Sequence, residues 1–242
     1  MSLADDIAAW IRTVVHDAGA EGTVVGLSGG IDSAVVAALA HRSLPRKVLG
    51  AILPCESDPA DAEDADIIAA TLGIETVHVD LTEAYRALAQ VLPDAPREVK
   101  ANIKPRLRMA ALYHLAASHN YLVCGSSNRS ELTVGYFTKH GDGGVDLLPI
   151  AGLLKTQVRQ LARTLDIPQR VIDKPPTAGL WPGQTDEGEM GLRYAQLDVA
   201  LLALDRRDPS GVPAPILTRV RELMRRSAHK RSLPPMFLPK RS

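Results

Sequence analysis

Cysteine is scarce in this chain. Two occur in 242 residues, Cys55 and Cys124, far apart and without the spacing of metal ligands. A disulfide framework and a cysteine-rich zinc site are therefore excluded, and both thiols are expected to be reduced in a cytoplasmic protein. Neither charge is in excess: 28 Lys and Arg face 28 Asp and Glu, which argues against a general nucleic-acid binder. No run approaches the ~20 apolar residues a membrane helix requires. The N-terminus carries Asp5 and Asp6 where a secretory signal would be basic. It reads instead as an amphipathic helix with Leu3, Ile7, Trp10, Ile11 and Val14 on one face. Internal repeats and low-complexity tracts are absent, and so are the nucleotide motifs GxxxxGK[ST] and GxGxxG. These absences exclude the usual P-loop NTPases and disfavour a redox dinucleotide fold.

Present instead is an alternation of strand and helix signals. Apolar runs at 23–27, 47–54, 74–80 and 121–125 read as strands. Helix-compatible segments lie at 33–43 and 60–72, the second closed by Gly73 as its cap. That order predicts an α/β protein, a parallel sheet flanked by helices on both faces, in a single domain over 1–242. A ligand is expected at the carboxyl ends of the strands. Two regions break the pattern. Residues 173–188, DKPPTAGLWPGQTDEG, hold three prolines and three glycines; no regular element is expected there, and the segment reads as a mobile lid loop. Residues 227–242 form a basic, proline-bearing tail.

The sharpest local signal is GLSGGIDS at 26–33, after a strand and before a helix. A helix N-terminus offers free N–H groups and partial positive charge to a phosphate. Gly29 and Gly30 let the backbone approach an anion, and Ser28 and Ser33 add hydroxyls. Asp32 would repel a phosphate unless a cation bridges them, and magnesium suits that role. Further on, NIKPRLRMAALYHLA (102–116) is a helix candidate with Lys104, Arg106 and Arg108 near its start. Arg106 and Arg108, two apart, point to different faces. The segment 124–158 collects Glu131, Thr138, Lys139, Asp142, Asp146 and Lys155, with GDGG at 141–144 as a tight turn. Lys155 sits near a helix start, where the dipole disfavours positive charge, which suggests that it serves a phosphate.

SGGIDS resembles the pyrophosphate loop of the ATP pyrophosphatase group, which cleaves ATP between its α and β phosphates. Together with NIKPRLRMAALY, SELTVGYFTKHGDGGVDLLPIAGLLKTQV, KPPTAGLWPGQTDEGEMGLRYAQLD and the HKR at 229–231, it resembles the ammonia-dependent NAD synthetase family over about 26–231. The resemblance implies an adenine nucleotide alpha hydrolase-like fold and ATP-dependent amidation of deamido-NAD by ammonia. The reaction runs through an adenylated nicotinate and releases AMP and diphosphate. It further implies that Ser28, Gly29, Gly30, Asp32 and Ser33 hold the ATP pyrophosphate, and that Lys155 and Thr177 contact its phosphates. Asp32 and Glu131 are then magnesium ligands. Asn102, Arg106, Lys139, Asp142, Asp146, His229 and Lys230 lie on the deamido-NAD side, with Asp142 or Asp146 also receiving ammonium. A homodimer binding the dinucleotide across its interface is implied as well. Two features depart from the pattern: Pro105 inside NIKPRLRM, and Glu98 where some relatives pack an aromatic ring on the substrate. At 242 residues there is no room for a glutaminase domain, so free ammonia is the expected donor. Two alternatives stand beside this reading. One is another adenylating pyrophosphatase, GMP-forming or tRNA-thiolating, though a thiolase would bring paired cysteines and a basic face. The other is a nucleotide-binding regulatory module without turnover, though that would have shed its acidic and basic site residues.

Overall fold

The computed structural model describes residues 2–238. Helix α1 (Leu3–Asp17) leads into strand β1 (Gly22–Gly26), helix α2 (Ile31–Ser43) and strand β2 (Val48–Ile52). Helix α3 (Pro59–Leu72), strand β3 (Glu75–His78) and helices α4 (Thr82–Val91), α5 (Arg97–Ala101) and α6 (Ile103–His119) follow, then strand β4 (Tyr121–Cys124). The four strands pair in parallel in the order β3-β2-β1-β4.

Side chains along a strand alternate between faces, and here both faces are covered. Val25, Val48 and Ile52 enter one core with α1, α2 and α3, while Val24, Leu49, Ala51 and Val123 enter another with Ala116 and Leu112 of α6. Asp58 caps α3, Pro59 opens it, and Gly73 closes it with φ +68. Pro105 falls in the first turn of α6, where its missing N–H costs nothing, and is buried.

The buried face of α1 is rotated from the expected one. Ala4, Ala8, Ile11 and Val15 turn inward, and Leu3 and Trp10 are exposed. The reason is its partner. Helix α2 is buried without a break from Ser33 to Ala40, around Ala34, Ala37, Ala38 and Ala40. Small residues on α1 let the two backbones approach, and Arg12 fastens them by donating to the Ser43 carbonyl at 2.9 and 3.0 Å.

The second half of the chain adds helices α7 (Arg129–Val134), α8 (Lys155–Ala162), α9 (Gln169–Asp173), α10 (Asp186–Met190), α11 (Tyr194–Asp205) and α12 (Ala214–Arg226), then a 3₁₀ turn at Ala228–Lys230. Leu154, Met190, Tyr194, Leu197 and Val220 build a separate core among these helices. The stretch expected to hold no regular element is bounded by two, since α9 ends at Asp173 and α10 begins at Asp186. The Thr185 hydroxyl accepts from Gly188 N–H and starts α10, a capping signal that the glycine and proline density hid. Of the tail, residues 239–242 lie outside the described residues. Among the described residues no helix is long and apolar enough to cross a membrane.

Candidate active site

Strand order reverses beside β1, where β2 pairs on one side and β4 on the other, so the chain leaves these strands in divergent directions. A cleft of about 510 Å³ opens at their carboxyl ends. Its floor is the segment Gly26–Ser33, entering α2. Gly29 adopts φ +73, and Ser33 Oγ donates to the Gly30 carbonyl at 2.9 Å, closing the turn. No side chain caps α2 at Gly30, so its N-terminal dipole faces the cleft.

At the end of this loop two charged groups from distant segments meet Asp32. The Lys155 ammonium, from the first turn of α8, donates to the Asp32 carboxylate in a short contact and to Glu131 Oε1 at 3.3 Å. It lies 4.8 Å from the centre of the Tyr194 ring, and its side chain is 3% exposed. Asn128 arranges the two acids. Its side-chain oxygen accepts from Glu131 N–H at 3.0 Å, its backbone N–H donates to Glu131 Oε2 at 3.2 Å, and its side-chain nitrogen donates to Asp32 Oδ1 at 3.0 Å. This is a capping box at the head of α7 whose cap also reaches into the site.

The misfit of Lys155 at a helix start is resolved by acids. Asp198 Oδ2 accepts from Thr156 N–H at 2.9 Å, and Asp198 Oδ1 accepts from the Ser130 hydroxyl, whose oxygen receives Lys155 N–H at 3.0 Å. Burial alone would depress the Lys155 pKa; the charges of Asp32 and Glu131 outweigh it and raise the pKa above the ordinary lysine value. Burial pushes the Glu131 carboxyl up to about 7 against the opposing pull of Lys155. Tyr194 Oη lies 2.8 Å from Asp186 Oδ2 and 3.1 Å from Glu131 Oε1. The other Asp186 oxygen is buried without a hydrogen-bond partner.

Asn102, Asp142 and Lys230 line the same cleft on its far side. The Asn102 side-chain oxygen accepts from the Thr138 hydroxyl at 2.7 Å, and Asp142 Oδ1 accepts from Thr138 N–H at 2.9 Å. Gly141 and Gly144 N–H groups close the GDGG turn on the Thr138 and Gly141 carbonyls. Lys230 donates to the carbonyls of Gly135 and Phe137 at 2.9 and 2.7 Å, tying the 3₁₀ turn to the cleft wall. Thr177 is on the rim, its hydroxyl donating to the Gln184 carbonyl at 2.8 Å.

Five of the predicted residues do not line the cleft: Gly29, which packs against Asp61 of α3, and four whose side chains lie elsewhere. Arg106 is exposed, 3.4 Å from the Lys139 carbonyl; Lys139 donates to the His229 carbonyl at 2.8 Å, and His229 is exposed. Asp146 accepts from Val123 N–H at 2.8 Å and from the Tyr113 hydroxyl at 3.0 Å, outside the cavity. Conversely, Asn128, Asp186, Tyr194, Asp61 and Lys174 belong to the site or its wall, and the sequence motifs assign no role to any of them. The N-x-x-E spacing at 128–131 was a readable capping signal. Nothing local marked Tyr194, which reaches the site from another core. Arg108 donates to the Leu53 carbonyl at 3.0 Å and to Ser57 Oγ at 2.9 Å and lines the cleft, whereas Arg106, two residues earlier, faces out.

A glycine turn at the end of a parallel sheet, faced by paired acids and a lysine inside a cleft, places the protein among the α/β enzymes. The NAD synthase family model matches residues 3–234. The NH3-dependent NAD+ synthetase of Carboxydothermus hydrogenoformans is 50% identical over 230 residues, covering 93% of this chain and 92% of that protein. The enzyme of the same name from Archaeoglobus fulgidus is 46% identical over 233 residues, covering 94% and 92%. Among solved structures, the NMN synthetase of Francisella tularensis superposes with a TM-score of 0.89 at 39% identity, covering 98% of this chain and 97% of that one. The NH3-dependent NAD synthetase of Campylobacter jejuni superposes with a TM-score of 0.86 at 28% identity, covering 98% and 100%. The chain belongs to the NAD synthase family, and so to the ligases.

Proposed function

We propose that this chain amidates deamido-NAD to NAD with ATP and ammonia, the last step in making NAD, in the cytoplasm. One observation carries the reading: Asp32, Glu131 and Lys155 converge on the phosphate turn in the same cleft that Asn102, Asp142 and Lys230 line from the other side. Such a cleft can hold a triphosphate beside a second nucleotide.

A carboxylate resists ammonia because its leaving group would be oxide; linked to AMP it becomes a mixed anhydride with a good leaving group. The chain's task is to align the nicotinate carboxylate with the α-phosphorus and to neutralise the departing diphosphate. The turn Ser28–Ser33, the N-terminus of α2, Lys155 and Thr177 are assigned to the diphosphate. Asp142, inside the cleft, is assigned to binding ammonium and accepting its proton.

Magnesium fits the acid pair. Among the described residues no group of three or more His, Cys, Asp or Glu is arranged to hold a metal ion. Asp32 and Glu131, whose carboxylates converge on one point now held by the Lys155 ammonium, would supply two ligands and leave the rest to phosphate oxygens and water, the coordination magnesium favours. The ion would supply charge neutralisation of the diphosphate.

A second copy of the chain completes the substrate site in this reading. Helix α4 buries no side chain; its Leu88 and Val91 are exposed, as are Leu92 just after it and Val99 on α5. Arg106 and Tyr113 lie seven residues apart on one face of the adjoining α6, and Asp146 accepts from Tyr113. These outward residues, absent from the cleft of one protomer, suit a dinucleotide that crosses to a partner.

The test is AMP release from ATP with deamido-NAD and ammonium. Parallel arms replace deamido-NAD with nicotinate mononucleotide, prompted by the name of the Francisella relative, and ammonium with glutamine. Absence of AMP, or AMP formed without the acid, would reject the proposal. Faster turnover of the mononucleotide would move the substrate assignment.

A further inference from the structure

Residues 174–185 run over the cleft without regular structure, and their middle is gripped from outside the loop. Lys104, on the first turn of α6, donates from its ammonium to the Leu180 carbonyl at 2.9 Å and to the Glu56 carbonyl at 3.4 Å. The nearest acid oxygen, on Glu56, is 3.9 Å away, and the Tyr85 ring centre is 5.0 Å away. Lys104 is 5% exposed. A lysine is seldom buried this deeply, and one that is usually faces a close carboxylate. Here the shortest contact is a loop carbonyl, and burial lowers the lysine's pKa. Opening the loop would expose the ammonium to water but remove that contact from Leu180. The next residue, Trp181, lines the cleft and receives the Arg97 guanidinium of α5 over its ring at 4.7 Å. Two cations from consecutive helices therefore hold two consecutive loop residues, and the same helices carry Glu98 and bound Asn102, which line the substrate side.

We propose that Lys104, assisted by Arg97, latches the 174–185 loop over the cleft and couples its closure to the helices that bind the carboxylate substrate. Lys104 is a positioning residue: it touches the loop and not the reacting atoms. The proposal rests on the adenylating reading above, since a closed loop matters because water adds readily to a mixed anhydride. Water attacking the acyl carbon expels AMP and returns the acid, so ATP is spent and no amide forms.

The chain has two tryptophans, so a Trp10→Phe background leaves Trp181 as sole reporter. In that background Lys104→Met is expected to shift Trp181 emission to the red, raise its quenching by acrylamide, and speed protease cleavage within 174–185. The AMP formed per NAD should rise above one, and the closed population should fall roughly tenfold, the scale of one lost charge-assisted hydrogen bond. Lys104→Arg should restore each readout. A folded Lys104→Met protein with unchanged emission, quenching and AMP-to-NAD ratio overturns the latch. Should that variant fail to fold, Arg97→Gln, a change on a largely exposed side chain, must shift the same readouts the same way, and no shift overturns the proposal. Failure of the parent protein to form AMP would instead defeat the functional reading, while fluorescence still reports on the loop.

Discussion

A Cβ on Gly29 would stand 2.3 Å from the backbone carbonyl oxygen of Asp61. The phosphate turn is thus wedged against the first turn of α3, with Asp61 also pairing with Lys174 at 2.8 Å. Gly29→Ala should disturb both the turn and that wall, because backbone cannot swing aside and φ +73 adds a left-handed strain of about 1–2 kcal/mol. Gly30→Ala meets only Ser28 Oγ, at 3.3 Å, and should be milder. Denaturant midpoints and ATP binding of the two variants check this; equal losses would contradict it.

Asp32 and Lys155 are a buried pair as well as parts of the site. Removing one partner of such a pair typically costs about 3–5 kcal/mol, here reduced by Glu131, which still contacts the ammonium. Asp32→Ala should therefore abolish AMP release and also lower the unfolding free energy. The double variant Asp32→Ala with Lys155→Met should recover stability without activity. Additive losses in the double variant would show that the two residues are not coupled.

Glu131 sets a pH dependence. Its carboxyl lies at about 7 in the fold against 4.5 for the free group, so between those values the native state binds more protons than the unfolded state. Stability with metal chelated should then fall as pH rises from about 4.5 to 7 and level off above, by on the order of 3 kcal/mol. Glu131→Gln should flatten that slope. Lys155, with its pKa also raised, adds a second fall of the same sign at higher pH, its contribution full below 10.5 and lost as pH climbs past it. Chemical denaturation across pH with a chelator present reads both.

Asp198 holds α8 in place from another core. Its two oxygens serve Thr156 N–H and the Ser130 hydroxyl, and it is 2% exposed. Asp198→Ala should destabilise the fold by about 2–3 kcal/mol, as expected when buried donors lose a charged acceptor. It should also lower turnover by displacing Lys155. Asp198→Asn keeps an acceptor and should recover part of each. Thermal unfolding and AMP release test the pair.

The exposed apolar side chains on α4 give the last prediction. Val91, 77% exposed, and Leu88 should be covered in a dimer. Val91→Glu with Leu88→Glu is expected to shift the mass by light scattering from two chains to one and to weaken dinucleotide turnover, leaving monomer stability within about 0.5 kcal/mol. A parent protein that is monomeric at assay concentration would end the interface argument.

The sheet, its parallel sense, the glycine turn at 29–30 and the cap at Gly73 were all readable from residue order, because each depends on contacts within a few positions or on a period that a strand or helix imposes. The turn at 141–144 was readable for the same reason. Three matters were settled only in space. The buried face of α1 depended on the small residues of α2. The cation between Asp32 and Glu131 depended on bringing Lys155 from 123 residues away. Tyr194 and Asp198 reached the site from a helical layer whose own pattern reads only as core. Local sequence specifies backbone shape through sterics and hydrogen bonds to near neighbours. Which charges meet in a low-dielectric cleft is decided by packing between distant segments.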